Sequence, residues 1–169
     1  MRIKISFIII VLLISFSSPL KINASNLKSD ESNSTFATIK RADVIRFAKK
    51  YLGTPYHFAC STPKKGFDCS GFVKYVFSNY KISLPRSSKA YGAVGKALKP
   101  AEFKVGDIII FYGFKDKTHI GHVGIICEAD GMNSKFIHSS SGKSMGVTIS
   151  DLGSKAYTRR FYKCIDVIN

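Results

Sequence analysis

Apolar residues recur every third or fourth position in the first half of the chain and every second position in the rest. From Ile39 onward Val44, Phe47, Ala48, Tyr51 and Leu52 fall on one helical face, with Lys40, Arg41, Arg46, Lys49 and Lys50 mostly between them. This predicts an amphipathic helix that stops at Gly53 and Pro55. A second helical run, Phe72, Val73, Val76, Phe77 and Tyr80, begins behind Asp68, a residue suited to cap a helix N-terminus. Ser87 is placed to cap a short third helix, which Gly92 and Gly95 weaken. The period then changes: residues 107–112, 121–127, 135–138, 147–149 and 160–167 read as strands, with turns at Ala129-Asp130-Gly131-Met132 and Ser141-Gly142-Lys143. Helices followed by hairpin-spaced strands predict an α+β domain, N-terminal helices packed on an antiparallel sheet of about five strands.

The N-terminus follows a different pattern. Met1-Arg2-Ile3-Lys4 is basic, the next stretch is apolar, and Ile22-Asn23-Ala24 offers a small residue for cleavage. Residues 1–24 read as a secretory signal peptide, residues 25–38 as a polar linker and residues 39–169 as the folded domain. The unbroken apolar run, residues 7–14, falls well short of the ~20 residues of a spanning helix, so no membrane span is expected after cleavage. An exported protein follows, periplasmic or extracellular.

Composition adds charge. The 169 residues carry 26 Lys and Arg against 11 Asp and Glu, a formal charge of +15, and losing Arg2, Lys4 and Lys21 with the leader leaves +12. Such a surface attracts polyanions. No dense basic block or nucleic-acid motif accompanies it, so an anionic cell envelope is the expected partner and nucleic acid is not. The four cysteines leave Cys60, Cys127 and Cys164 with one bridge or none if Cys69 is a working thiolate.

Cys69 is where chemistry enters. It directly follows the capping Asp68, and the first turn of a helix offers free N–H groups and a positive dipole end that favour a thiolate. Asp68 opposes that charge. A lone cysteine is more often a small buried apolar residue, but a base and an orienting group are available downstream. Alternation places His122 and Gly124 on one strand face and Val123 and Ile125 on the other, and His138 ends the next strand, paired through the Asp130-Gly131 turn. No closely spaced Cys or His pair suggests a zinc site. His57 and His119 lie in loop-like segments without supporting patterns.

Six motifs occur in order: Tyr51-Leu52-Gly53-Thr54-Pro55-Tyr56, Gly66-Phe67-Asp68-Cys69-Ser70-Gly71-Phe72-Val73, Leu84-Pro85-Arg86-Ser87-Ser88, Val105-Gly106-Asp107, Gly121-His122-Val123-Gly124-Ile125 and Phe136-Ile137-His138. In this order and spacing the chain, from about Ile39 to its end, resembles the NlpC-type cell-wall cysteine peptidases, whose fold is a compact, rearranged papain. The resemblance implies Cys69 as nucleophile, His122 as base and His138 as the orienting member. It puts Tyr56 at the oxyanion, and Asp68, Ser70, Arg86 and Ser87 on the substrate side. It implies a monomer without cofactor or metal that hydrolyses peptidoglycan stem peptides between D-glutamate, through its γ-carboxyl, and the next diamino acid. A muramoyl-alanine amidase, an acyltransferase or a silent wall-binding protein would share the fold. The chain departs from the pattern at residues 57–60, where members commonly carry glycines.

Overall fold

A computed structural model describes residues 39–168, so the leader and linker expected at residues 1–38 lie outside the described residues. The first helix, α1, spans Arg41–Lys49. A small hairpin follows, β1 at Ser61–Thr62 and β2 at Gly66–Phe67, and leads directly into α2 at Cys69–Ser78. Two 3-10 turns, Ser88–Ala93 and Pro100–Glu102, carry the chain to β3 (Ile108–Tyr112), β4 (Ile120–Glu128), β5 (Lys135–Ser140) and β6 (Gly146–Asp151). A one-turn helix, α3 at Lys155–Thr158, precedes β7 at Phe161–Ile165. The five long strands form one antiparallel sheet in the order β6-β5-β4-β3-β7. The α+β architecture read from the sequence is therefore the observed one. Ser87 does precede a helical turn, but its side chain makes no capping bond, and the turn is 3-10 rather than α.

The two-residue period of the strands divides the core into two layers. Val123, Ile125, Cys127, Ile108, Ile110 and Ile137 pack with α1 and α2, through Val44, Phe72, Val76 and Phe77. Phe111, Ile126, Phe136, Cys164 and Leu152 form the opposite layer, with Phe103 and Tyr157 beside them. Phe72, Val76 and Phe77 are fully buried, and burying each side chain stabilises the fold by roughly 1.5–3 kcal/mol. All four cysteines are free thiols. Cys127 and Cys164 sit in opposite layers, which leaves them no route to a bridge.

One interruption in the sheet positions everything that follows. β4 and β5 pair at Glu128–Lys135, Ile126–Phe136 and Ile125–Ile137, and the ladder ends there. Beyond it Ser139 of β5 donates its hydroxyl to the carbonyl of Phe67 on β2, at 2.7 Å. The start of α2 enters the gap so opened. The loop before it is held close, because the Asp68 N–H donates to the Cys60 carbonyl at 2.9 Å and a Cβ at Gly71 would stand 2.2 Å from that oxygen. Only glycine fits there.

Candidate active site

Asp68 is the N-cap of α2, its carboxylate accepting the Gly71 N–H at 2.7 Å, and Cys69 is the first helical residue. The sulfur has two sets of influences. Burial, first, and then the Asp68 charge push its pKa up to about 11, while the backbone N–H groups of Val123, Ser70 and Cys69 favour the thiolate. The Val123 amide is available because of the split. Ile126 N–H donates to Asp107 on the β3 side, so by alternation Val123 N–H points to the β5 side, where no strand partner remains. The thiol thus occupies a vacancy in the sheet ladder.

The Asp68 charge is itself engaged. Arg86 makes a two-pronged pair with it, Nη1 to Oδ1 at 2.9 Å and Nη2 to Oδ2 at 2.7 Å, and also donates to the Cys60 carbonyl at 3.2 Å. Ser70 donates its hydroxyl to Asp68 at 3.2 Å. A cavity of about 490 Å³ opens over these groups, and Tyr56, Asp68, Cys69, Ser70, Arg86, Ser87 and Gly121 line it. Burial and the nearby Cys69 and Asp68 raise the Tyr56 pKa, so its hydroxyl keeps its proton at neutral pH. At the rim Ala59 has φ of +61° and Phe58 is 85% exposed. Ala59 thus adopts a backbone conformation that glycine takes without strain, at the point where the sequence departs from the glycine-bearing pattern.

The two histidines lie on the sheet face turned away from α2. His122 on β4 and His138 on β5 meet edge to face, with His122 Nε2 and His138 Nδ1 2.8 Å apart. His138 Nε2 continues to Ser150 Oγ at 2.9 Å, with Tyr157 Oη at 3.4 Å. Gly124 lets the rings come together: a Cβ there would meet Phe136 at 2.6 Å and His138 at 3.2 Å. Burial, then His138 and the Arg160 cation, hold His122 well below the usual imidazole range; burial and Arg160 bring His138 down to about 3. Both rings are neutral at physiological pH. Among the described residues no hydrogen bond joins Cys69 Sγ to His122, whose ring faces His138 through Nε2 and leaves Nδ1 as its open nitrogen. Gly121 lines the Cys69 cavity, and His122, the next residue, lines a second one of about 470 Å³.

Residues 53–166, which contain all of these groups, match the family model described as NlpC/P60 family. The chain belongs to this family. Among NlpC/P60 relatives, the Gamma-DL-glutamyl hydrolase of Bacillus subtilis (strain 168) is 46% identical over 110 residues, 64% of this chain and 25% of the relative. The Bifunctional muramidase/DL-endopeptidase CwlT of the same organism is 35% identical over 66% of this chain and 32% of the relative. The chain therefore spans a quarter to a third of the length of these two. A crystal structure of a NlpC/P60 family protein from Bacillus cereus ATCC 10987 superposes with a TM-score of 0.70 at 28% identity, covering 79% of this chain and 42% of that one. The helices on a five-stranded antiparallel sheet are the papain-like fold of this NlpC/P60 neighbour.

Three participants escaped the sequence reading. Ser150 reaches His138 because β6 pairs Phe136 with Ser150, a register that alternation alone does not reveal. Tyr157 lies in α3, too short a helix to leave a periodic signal, and Arg160 follows just after it, before β7. The His57 ring lies beside Gly66, and His119 is occupied with Asp116, Nδ1 to Oδ2 at 2.7 Å.

Proposed function

We propose that this protein is a cysteine peptidase that hydrolyses peptidoglycan stem peptides at the bond between the γ-carboxyl of D-glutamate and the following diamino acid. The observation that carries the reading is a thiol on a helix N-terminus, held at the Val123 backbone N–H, with His122, the residue next to Val123, heading a neutral His122–His138–Ser150 relay. The names of the two Bacillus subtilis relatives, a Gamma-DL-glutamyl hydrolase and a bifunctional muramidase/DL-endopeptidase, support the choice of bond.

The relay has one arrangement that leaves a base facing the thiol. His122 Nε2–H donates to His138 Nδ1, His138 Nε2–H donates to Ser150 Oγ, and His122 Nδ1 is left unprotonated. Nδ1 takes the Cys69 proton as the sulfur adds to the substrate carbonyl. The oxyanion is held by the Cys69 backbone N–H and the protonated Tyr56 hydroxyl. His122 then returns the proton to the leaving amine, a thioester remains on Cys69, and water releases it by the reverse proton transfers. His138 keeps the His122 ring oriented and stabilises the imidazolium formed during each transfer. Arg86, Ser87, Ser70 and Asp68 line the acyl side, where a γ-linked glutamate presents its free α-carboxylate. The +12 charge expected after leader removal suits an anionic envelope, which the protein reaches by export; no helix among the described residues is long and apolar enough to cross a membrane.

Mass spectrometry of purified muropeptides digested with the wild type and with Cys69→Ala tests the reading. The expected products end in γ-D-glutamate and appear only with the wild type. Identical patterns from both proteins would overturn hydrolysis, and a cut between sugar and alanine would make the protein an amidase.

A further inference from the structure

The second cavity, of about 470 Å³, lies on the His122 side and has no role in the steps above. Its walls include Phe114, Lys115, Tyr157, Arg160 and the 140–142 turn. Geometry assigns its place in the reaction. Cys69 attacks from the first cavity, and the group that receives a proton from His122 must lie on the His122 side. The departing amine and the residue that carries it therefore extend into the second cavity.

Arg160 distinguishes this cavity chemically. Its guanidinium is half-buried and stacks near Tyr157, Phe114 and Phe111, at 5.0, 5.6 and 5.9 Å from the ring centroids. Nε donates to the Ala156 carbonyl at 3.0 Å and Nη1 to the Tyr112 carbonyl at 3.4 Å, while Nη2 has no hydrogen-bond partner among the described residues. Arg41 and Arg86, also partly buried, each hold a carboxylate: Arg41 holds Asp107 and Asp166, and Arg86 holds Asp68. Arg160 makes no ion pair among the described residues. The nearest acid in sequence on that loop, Asp116, is occupied by Thr118 and His119. An adjoining hollow of about 170 Å³ shares Phe114 and Arg160 and adds Lys117 and Arg159, so the surroundings are cationic. A partly desolvated, aromatic-framed guanidinium with a free edge is a site for a carboxylate.

We infer that the cavity beside His122 is an acid-recognising subsite for the leaving residue, in which Arg160 takes a free carboxylate of the amino acid whose amine is released. The inference rests on the hydrolase reading proposed above. The carboxylate has two sources, the second acid group of a diaminopimelate-type residue or the α-carboxylate of a leaving residue that ends the chain. Either would relieve the electrostatic pressure that Arg160 exerts on His122 and His138, so acid recognition and proton transfer would reinforce each other.

Three peptides separate the possibilities: L-Ala-γ-D-Glu followed by L-lysine amide, by L-lysine with a free α-carboxylate, and by α-amidated diaminopimelate. For each enzyme the measured quantity is the ratio of kcat/KM between an acid peptide and the lysine amide, which cancels differences in folded fraction. The wild type is expected to prefer at least one acid by about tenfold or more, the scale of a charge-assisted hydrogen bond. Arg160→Gln is expected to reduce that ratio to within about threefold of unity, and Arg160→Lys to restore part of it. The preferred acid identifies the source. Cleavage of all three peptides without preference, or a preference that survives Arg160→Gln, would overturn the subsite while leaving the hydrolase reading intact. Calorimetric binding of the same peptides to Cys69→Ala with and without Arg160→Gln makes the converse distinction. Acid-selective binding that depends on Arg160, without turnover by the wild type, would retain the subsite and overturn the hydrolase.

Discussion

Asp68 and Arg86 share both carboxylate oxygens and both terminal guanidinium nitrogens, at 2.9 and 2.7 Å, one residue before Cys69. The pair lets a helix cap carry an acid beside Cys69, the proposed nucleophile, whose thiolate would carry negative charge of its own. Oδ1 also holds the Gly71 N–H, so one side chain fixes the helix start and the orientation of the arginine above it. Arg86 is 38% exposed on its side chain, so solvent screens part of the attraction.

Removing the acid without removing the cap separates these effects. Asp68→Asn keeps an oxygen for Gly71 N–H but deletes the charge that opposes the thiolate and leaves Arg86 unneutralised. Alkylation of Cys69 by iodoacetamide at pH 8, followed on the Cys69 peptide by mass spectrometry, is expected to accelerate by about threefold for each unit by which the thiol pKa falls, because the larger thiolate fraction outweighs the lower nucleophilicity of each thiolate. Arg86→Gln should change the rate in the opposite direction. Equal rates in all three proteins would show that the pair does not act on the sulfur.

The buried imidazoles make folding sensitive to acid. His138 has a pKa of about 3 when folded against an ordinary 6.5 when unfolded, so between those values the unfolded chain binds more protons. Stability therefore rises with pH across that window and levels off above 6.5. The slope is at most about 1.4 kcal/mol per pH unit for His138, and His122 contributes with the same sign. Urea denaturation midpoints should fall steadily from pH 7 to pH 4, and less steeply in His138→Gln. A midpoint independent of pH would contradict this account.

Gly71→Ala forces a methyl group to within 2.2 Å of the Cys60 carbonyl, a backbone atom that cannot rotate away. The expected loss is about 1–3 kcal/mol, measured by chemical denaturation, with the thiol displaced from the Val123 amide as the loop yields. An unchanged midpoint would mean that the loop accommodates the methyl without strain.

Ala59→Gly should act the other way. Relief of the left-handed backbone at φ +61° is worth roughly 1–2 kcal/mol, and the added freedom of glycine in the unfolded chain takes back about half of it. A gain of about 0.5–1 kcal/mol is expected, with the rim of the acyl-side cavity otherwise intact. Destabilisation would indicate that the alanine methyl is packed rather than strained.

Local sequence signals identified what local forces determine. Asp68 as cap, Cys69 at the first helical position, five alternating strands and the shared strand face of His122 and Gly124 follow from hydrogen-bonding capacity and side-chain period, and the structure has each of them. The contact between the two rings required strand register as well. The β4–β5 ladder ends after Ile125–Ile137, and beyond it the Ser139 hydroxyl bonds to the Phe67 carbonyl across the fold, a nonlocal contact that no periodicity records. For the same reason Ser150 and Arg160 were invisible: each matters through a neighbour brought to it by the sheet.

The break between β4 and β5 has an architectural consequence. Cys69 and the His122–His138 pair lie on opposite faces of the sheet at this seam, and the turns around Tyr56–Ala59, Phe114–Lys115 and Ser140–Gly142 supply part of the walls of the two cavities. Those turns can change in length or charge without reopening the seam. In the proposed hydrolase the scaffold thus separates the groups assigned to bond cleavage from the surfaces assigned to substrate choice, and loop replacement is expected to change the second without the first.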